Sequence, residues 1–137
     1  MTVLFACVHN AGRSQMAAAF FNAYADPERA VAISAGTQPA EQVHLGVIAA
    51  MYEVGIDLSR VKPQRLTTEL AAAAAWLITM GCGDECPIVP DSVQRDDWPL
   101  PDPRGKGLES VRTIREAVRR RVADFILAHH WEHAPAP

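Results

Sequence analysis

The sequence predicts a single α/β domain with a mainly parallel central sheet flanked by helices, and three observations predict it. Segments that read as strands alternate with segments that read as helices, the order a parallel sheet requires. Thr2-Val3-Leu4-Phe5-Ala6 and Trp76-Leu77-Ile78-Thr79-Met80 are continuous apolar runs, as strands buried on both faces are. The chain has 137 residues, 49% hydrophobic and 21% charged, the size and balance of one domain around one sizeable core.

Taken in order, the first strand is followed by an alanine-rich helix over 14–24, with Met16, Phe20 and Phe21 for its buried side, and Asp26-Pro27 breaks it. Val31-Ala32-Ile33-Ser34-Ala35-Gly36 is a second strand with a glycine stop. Val47, Ile48, Met51 and Val54 recur at three- and four-residue spacings and predict a helix over 43–54, with Gly55 in place for a left-handed cap. A weaker helix spans 67 to about 73 and ends somewhere in the alanine run 71–75, before the strand over 76–80. The stretch 81–107 is dense in Gly, Pro and Asp and reads as loop with room for one short strand; Asp84, Glu85, Asp91, Asp96 and Asp97 read as solvated loop charges there, and Trp98 as either a neighbour of the site or a core anchor. The last helix is the clearest: Val111, Ile114, Val118, Val122, Phe125 and Ile126 form one apolar stripe, with the arginines 112, 115, 119 and 120 largely off it. The expected domain is 1–132, followed by a fraying tail over 133–137 that ends Ala-Pro-Ala-Pro. His129, His130 and His133 fall near a helix end and read as a solvated terminus rather than a metal site.

The net charge of −3 argues against nucleic acid or an acidic membrane surface as the main partner, while leaving room for a local anion site. No apolar run approaches the roughly 20 residues needed to span a bilayer, and no basic stretch precedes the first apolar segment as a signal peptide requires. The expectation is a cytoplasmic protein whose three cysteines, Cys7, Cys82 and Cys86, serve chemistry or metal binding rather than a structural disulfide.

Chemistry concentrates in Cys7-Val8-His9-Asn10-Ala11-Gly12-Arg13-Ser14, which joins the first strand to the first helix. Ligands of open α/β sheets sit beyond the carboxyl ends of strands, and the backbone N–H groups of residues 8–12 can curl toward one centre ahead of the helix. Gly12 permits the tight or positive-φ geometry of such a cradle. Arg13 offers a planar fork able to grip two oxygens of a tetrahedral anion. The same field favours a thiolate at Cys7; Ser14 can donate a hydrogen bond to the sulfur and Asn10 can lock the loop through its own backbone. An inert buried cysteine is the rival reading of Cys7, but the strand–loop–helix setting points to a nucleophile, with His9 placed to tune the pocket. Asp102, in Leu100-Pro101-Asp102-Pro103, is equally a turn residue or an acid. Gly81 and Gly83 let the loop around Cys82 move, and three intervening residues let Cys82 and Cys86 reach disulfide distance. Two structural thiols, or a zinc site short of ligands, are the other readings of that pair.

This loop and its setting resemble the low-molecular-weight tyrosine phosphatase family, and Arg13-Ser14-Gln15-Met16-Ala17 is most similar to the arsenate reductases built on that fold. The resemblance runs through Ser34-Ala35-Gly36, Gly55-Ile56-Asp57, the segment Met80-Gly81-Cys82-Gly83-Asp84-Glu85-Cys86-Pro87, and Asp102-Pro103, where the family keeps its general acid. It implies that Cys7 forms a thiol–arsenate adduct with Asp102 as proton donor, that Cys82 attacks Cys7 and releases arsenite, and that Cys86 then carries the disulfide to the surface. Implied partners are arsenate, with phosphate or sulfate as competing anions, and an external thiol reductant, either thioredoxin or a small thiol with its redoxin. No tightly bound cofactor is implied. Where many members have Gly and Cys this chain has His9 and Gly12, and where some reductases use an acidic residue to hold potassium it has Ala18, so no such ion site is expected. The basic, glycine-rich Arg104-Gly105-Lys106-Gly107 replaces the aromatics of tyrosine phosphatases and suits a small inorganic anion. A phosphatase acting on phosphotyrosine or small esters, sharing Cys7, Arg13 and Asp102, is the alternative; a thiol-based sensor or oxyanion-binding module without turnover is a third.

Overall fold

The computed structural model describes residues 1–81 and 89–133. Four strands, β1 (Thr2–Cys7), β2 (Val31–Gly36), β3 (Trp76–Thr79) and β4 (Gln94–Asp97), form one sheet in the order β2-β1-β3-β4, every neighbouring pair parallel. Four helices, α1 (Arg13–Tyr24), α2 (Leu45–Tyr52), α3 (Thr68–Ala72) and α4 (Leu108–Ala128), flank it. β1 is paired on both edges, which explains why Val3, Leu4, Phe5 and Ala6 are fully buried and why its run is apolar without alternation.

Successive side chains of β1 leave on opposite faces and divide the core into two. Val3, Phe5 and Cys7 belong to the larger layer, with Met16, Phe20 and Phe21 of α1, Val47 and Met51 of α2, and the α4 stripe. Leu4 and Ala6 belong to a smaller layer with Ala71, Ala74, Leu77 and Val93. Cys7 thus ends the central strand with its side chain on the α1 side. Gly55, at φ 84°, terminates the α2 region in the left-handed conformation its sequence position predicts. The Thr67 hydroxyl accepts from the Leu70 N–H at 3.0 Å and starts α3, which resolves the alanine run.

Three expectations change. Asp96 and Asp97 are not free loop charges but lie in edge strand β4, where Asp97 accepts from the Thr79 hydroxyl at 2.6 Å and Asp96 from the Trp98 indole N–H at 2.9 Å. Trp98 is a core anchor, its ring 5.6 Å from both Phe5 and Phe125. His129 is half-buried, stacked on Trp131 at 4.7 Å with Nδ1 2.8 Å from the Phe125 carbonyl, whereas His130 and His133 are exposed. Among the described residues no helix is long and apolar enough to cross a membrane. The expected tail beyond His133 and the residues Cys82, Asp84, Glu85 and Cys86 lie outside the described residues.

Candidate active site

Residues 8–12 carry the chain from the end of β1 into α1, and their carbonyls are all spoken for. Thr37, Gln38, Ala40 and His44 donate their backbone N–H groups to the carbonyls of Cys7 (3.2 Å), Val8 (2.8 Å), His9 (2.9 Å) and Ala11 (3.0 Å). The Gln15 side chain donates to the Asn10 carbonyl at 3.1 Å, and Met16 N–H to that of Gly12 at 3.0 Å. In a trans peptide the N–H that follows a carbonyl points the opposite way. With the carbonyls turned toward the 37–44 segment and α1, the N–H groups of Val8, His9, Asn10 and Gly12 turn away from that segment. This is the arrangement of an anion cradle. Gly36 makes the close approach possible: a Cβ there would stand 2.6 Å from the Val8 carbonyl oxygen and 2.8 Å from the Asn10 nitrogen.

Asn10 organises the loop, though not through its own backbone as expected. It is fully buried at φ 50°, a left-handed conformation that asparagine tolerates. Its Oδ1 accepts the Gln64 backbone N–H at 2.9 Å and the Gln15 Nε2 at 3.1 Å. Because a backbone N–H can only donate, the amide orientation is fixed, and Nδ2 faces the Ser14 hydroxyl at 2.8 Å. Ser14 Oγ therefore accepts from Asn10, and its own hydrogen is left for Cys7 Sγ, 2.8 Å away. A hydroxyl donating to sulfur makes its strongest bond when that sulfur is an anion. Cys7 itself is buried and unbridged.

Arg13, with 9% of its side chain exposed, does not present an open fork. One terminal nitrogen donates to the Leu100 carbonyl at 2.9 Å and the other faces the Asp102 carboxylate at 3.8 Å. Its path needs Gly81: at φ 101° that residue is in the glycine-favoured region, and a Cβ would collide with Arg13 Nη1. The positive-φ residue of the loop is Asn10, whereas Gly12 has φ −143° and serves by having no side chain, since a Cβ would meet Pro103 Cγ at 2.7 Å. Asp102 makes two contacts. Its Oδ1 accepts the Arg104 N–H at 2.9 Å, as a turn aspartate does, and its other oxygen faces Arg13.

A cavity of about 500 Å³ adjoins the loop, lined by His9, Gln38, Glu41, His44 and Arg104 among others. Burial holds the His44 imidazole below its ordinary 6.5; Asp102 opposes the shift, and Arg104 and His9 add to it. The structure thus gathers Cys7, Val8, His9, Asn10, Ala11, Gly12, Arg13, Ser14 and Asp102 at one end of the sheet, while Cys82 and Cys86 lie outside the described residues. Sequence reasoning missed Gln15, Gln64, Gly36, the Leu100 carbonyl and the contact of His9 with Arg104. Of the missed partners, Gln15 alone had a local signal, since it directly follows Ser14. Among the described residues no group of three His, Cys, Asp or Glu is placed to hold a metal ion.

A parallel sheet whose central strand ends on a cysteine, under a loop with its carbonyls turned outward, defines an oxyanion-loop α/β protein. Residues 2–133 match the family model described as low molecular weight phosphotyrosine protein phosphatase, and the chain belongs to that family. It is 40% identical over 125 residues to a candidate arsenate reductase of Halobacterium salinarum, covering 88% of this chain and 87% of the relative. A glutaredoxin arsenate reductase of Synechocystis sp. is 38% identical over 128 residues, covering 90% and 95%. Among solved structures, a thioredoxin-dependent arsenate reductase of Corynebacterium glutamicum superposes with a TM-score of 0.81 at 36% identity. That match covers 94% of this chain, which spans 61% of the Corynebacterium chain.

Proposed function

We propose that this chain reduces arsenate to arsenite through a covalent Cys7 adduct and a relay of thiols through Cys82 and Cys86. The observation that carries the reading is the Ser14 hydroxyl 2.8 Å from Cys7 Sγ, inside a loop whose carbonyls are engaged elsewhere. The names of the relatives support the reaction, and the thioredoxin-dependent neighbour supports an external thiol reductant.

In this mechanism the Cys7 thiolate attacks arsenic(V), and an arsenate oxygen departs as water after Asp102 supplies a proton. Arg13 and the loop N–H groups hold the remaining oxygens. The Cys82 thiolate then attacks Cys7 Sγ. The S–As bonding pair stays on arsenic, which leaves as arsenite, two electrons richer, and a Cys7–Cys82 disulfide remains. Cys86 attacks Cys82, freeing Cys7 as thiolate, and the Cys82–Cys86 disulfide is returned to dithiol by thioredoxin, or by a small thiol with its redoxin. Phosphate and sulfate, with the same tetrahedral shape, compete for the cradle. The second reading, a phosphatase using Cys7, Arg13 and Asp102, is favoured by the family to which the chain belongs.

The test is arsenate-dependent NADPH oxidation in a mixture with thioredoxin and thioredoxin reductase. The relay reading expects turnover that vanishes in Cys7→Ser and in Cys82→Ser. Turnover only with a small thiol and its redoxin retains the reductase and discards the relay. Silence in both, with hydrolysis of an aryl phosphate that survives Cys82→Ser, moves the assignment to the phosphatase.

A further inference from the structure

At the rim of the loop stands a second guanidinium that the mechanism above does not use. Arg104 Nη1 lies 3.3 Å from Nε2 of His9, a residue 95 positions away in sequence and two past Cys7. A guanidinium has no lone pair to offer, so His9 Nε2 is the acceptor and the ring hydrogen sits on Nδ1. That nitrogen is 3.2 Å from the Gln38 carbonyl, to which it donates. The contact therefore belongs to the neutral imidazole. The Arg104 backbone is held as well, by its N–H on Asp102 Oδ1 and by Pro103 lying over Gly12. Arg104 is exposed, yet it is fixed from both ends.

The charges around the mouth say what a fixed cation there does. Arg13 faces the Asp102 carboxylate, so its charge is shared before any anion arrives. Glu41 lines the adjoining cavity, and His44 is held toward its neutral form. With Cys7 as thiolate, the immediate surroundings would otherwise carry no surplus of positive charge for a dianion. We propose that Arg104 is a second oxyanion-binding cation, that its ligand class is the compact, doubly charged tetrahedral anion, and that neutral His9 is the residue that positions it. The proposal rests on the reading of residues 7–14 as the oxyanion site.

Inorganic sulfate is a suitable probe, because its charge does not change near neutral pH. The readout is the sulfate concentration that halves the rate at which iodoacetamide, a neutral reagent, alkylates Cys7, followed on the Cys7 peptide by mass spectrometry. Arg104→Gln raises that concentration about three- to tenfold, in the range of a partly exposed charge contact. His9→Ala has a similar effect and adds little to Arg104→Gln, the mark of two residues acting as one. His9→Gln, which keeps an acceptor, stays near the native value, and Arg104→Lys recovers part of the loss. The gap between native and Arg104→Gln narrows as sodium chloride is added. Sulfate binding to Arg104→Gln as tightly as to the native chain overturns the proposal, and independent, additive losses overturn the role given to His9. Failure of sulfate to protect native Cys7 at any concentration removes the oxyanion site itself, and this inference with it.

Discussion

Two polar networks in this molecule look alike as hydrogen-bond diagrams and differ in what surrounds them. Around Asn10, neutral groups of Ser14, Gln15 and Gln64 meet at 2.8–3.1 Å, with Asn10 and Ser14 fully buried. Between α2 and α4, Glu53 accepts from Arg112 at 2.5–3.1 Å and from Arg115 at 2.8 Å, and Arg115 also reaches Glu116 at 2.7 Å. The second network has the shorter bonds and full charges. It is nevertheless the weaker device, because water competes for Glu53, Arg112 and Glu116 and salt screens it. In the first, Asn10, Ser14 and Gln15 are buried, and a partner lost among them leaves a polar group with no water to turn to. Burial ranks the two, and bond length does not.

Breaking the buried network gives the largest expected effect. Asn10→Ala removes the acceptor of the Gln64 N–H and one of the two acceptors of the Gln15 amide, frees the Ser14 hydroxyl and puts alanine at φ 50°, and it should cost roughly 1–3 kcal/mol in urea unfolding. It should also abolish sulfate protection of Cys7. Gly36→Ala leaves every hydrogen-bonding group in place but drives a methyl into the Val8 carbonyl and the Asn10 nitrogen. Backbone atoms cannot swing aside, so the expected cost is about 1–3 kcal/mol, and sulfate protection should weaken with it. If Gly36→Ala unfolds at the native midpoint, the loop is less rigid than its bonding implies.

The smallest effect belongs to the surface network. The Arg112 side chain, followed by Arg115, pulls the Glu53 carboxyl from its ordinary 4.5 down to about 2. A carboxyl with a depressed folded value stabilises the fold above its unfolded value and loses that contribution as pH falls through the folded one. Glu53→Gln, which resembles the protonated carboxyl, should therefore match the native chain near pH 2 and fall below it by a small, constant amount above about pH 4.5, as followed by urea midpoints against pH. A large loss at pH 7 would contradict the ranking drawn above.

The same contrast explains what the sequence made legible. β1, β2 and the α4 stripe were readable because apolar pattern over neighbouring residues determines which face is covered. The cradle was readable because Cys7, Arg13 and Ser14 are seven residues or fewer apart on a single strand-to-helix turn. What escaped was each contact made across the chain. Gln64 is 54 residues from Asn10, the Leu100 carbonyl is 87 from Arg13, and Arg104 is 95 from His9. Such partners are chosen by the register of the assembled sheet. The short strand allowed for in 81–107 is β4, and its position escaped for a related reason: Gln94-Arg95-Asp96-Asp97 has neither alternation nor strand propensity, and pairing with β3 alone makes it one. Its charges also blunt a free sheet edge.

The outward carbonyls of residues 7–12 bear on how well the protein can choose among its guests. A receptor assembled before the guest arrives gives up little freedom on filling, so it binds without a large ordering cost. By the same token its own backbone, already bonded on the carbonyl side, offers little rearrangement with which to test what it holds. Arsenate and phosphate present it with nearly the same outline. Under the reductase reading, discrimination then falls to events after entry: one guest leaves as it came, while the other accepts electrons through sulfur and departs changed. A cell rich in phosphate would slow such an enzyme by occupancy without ever misleading it.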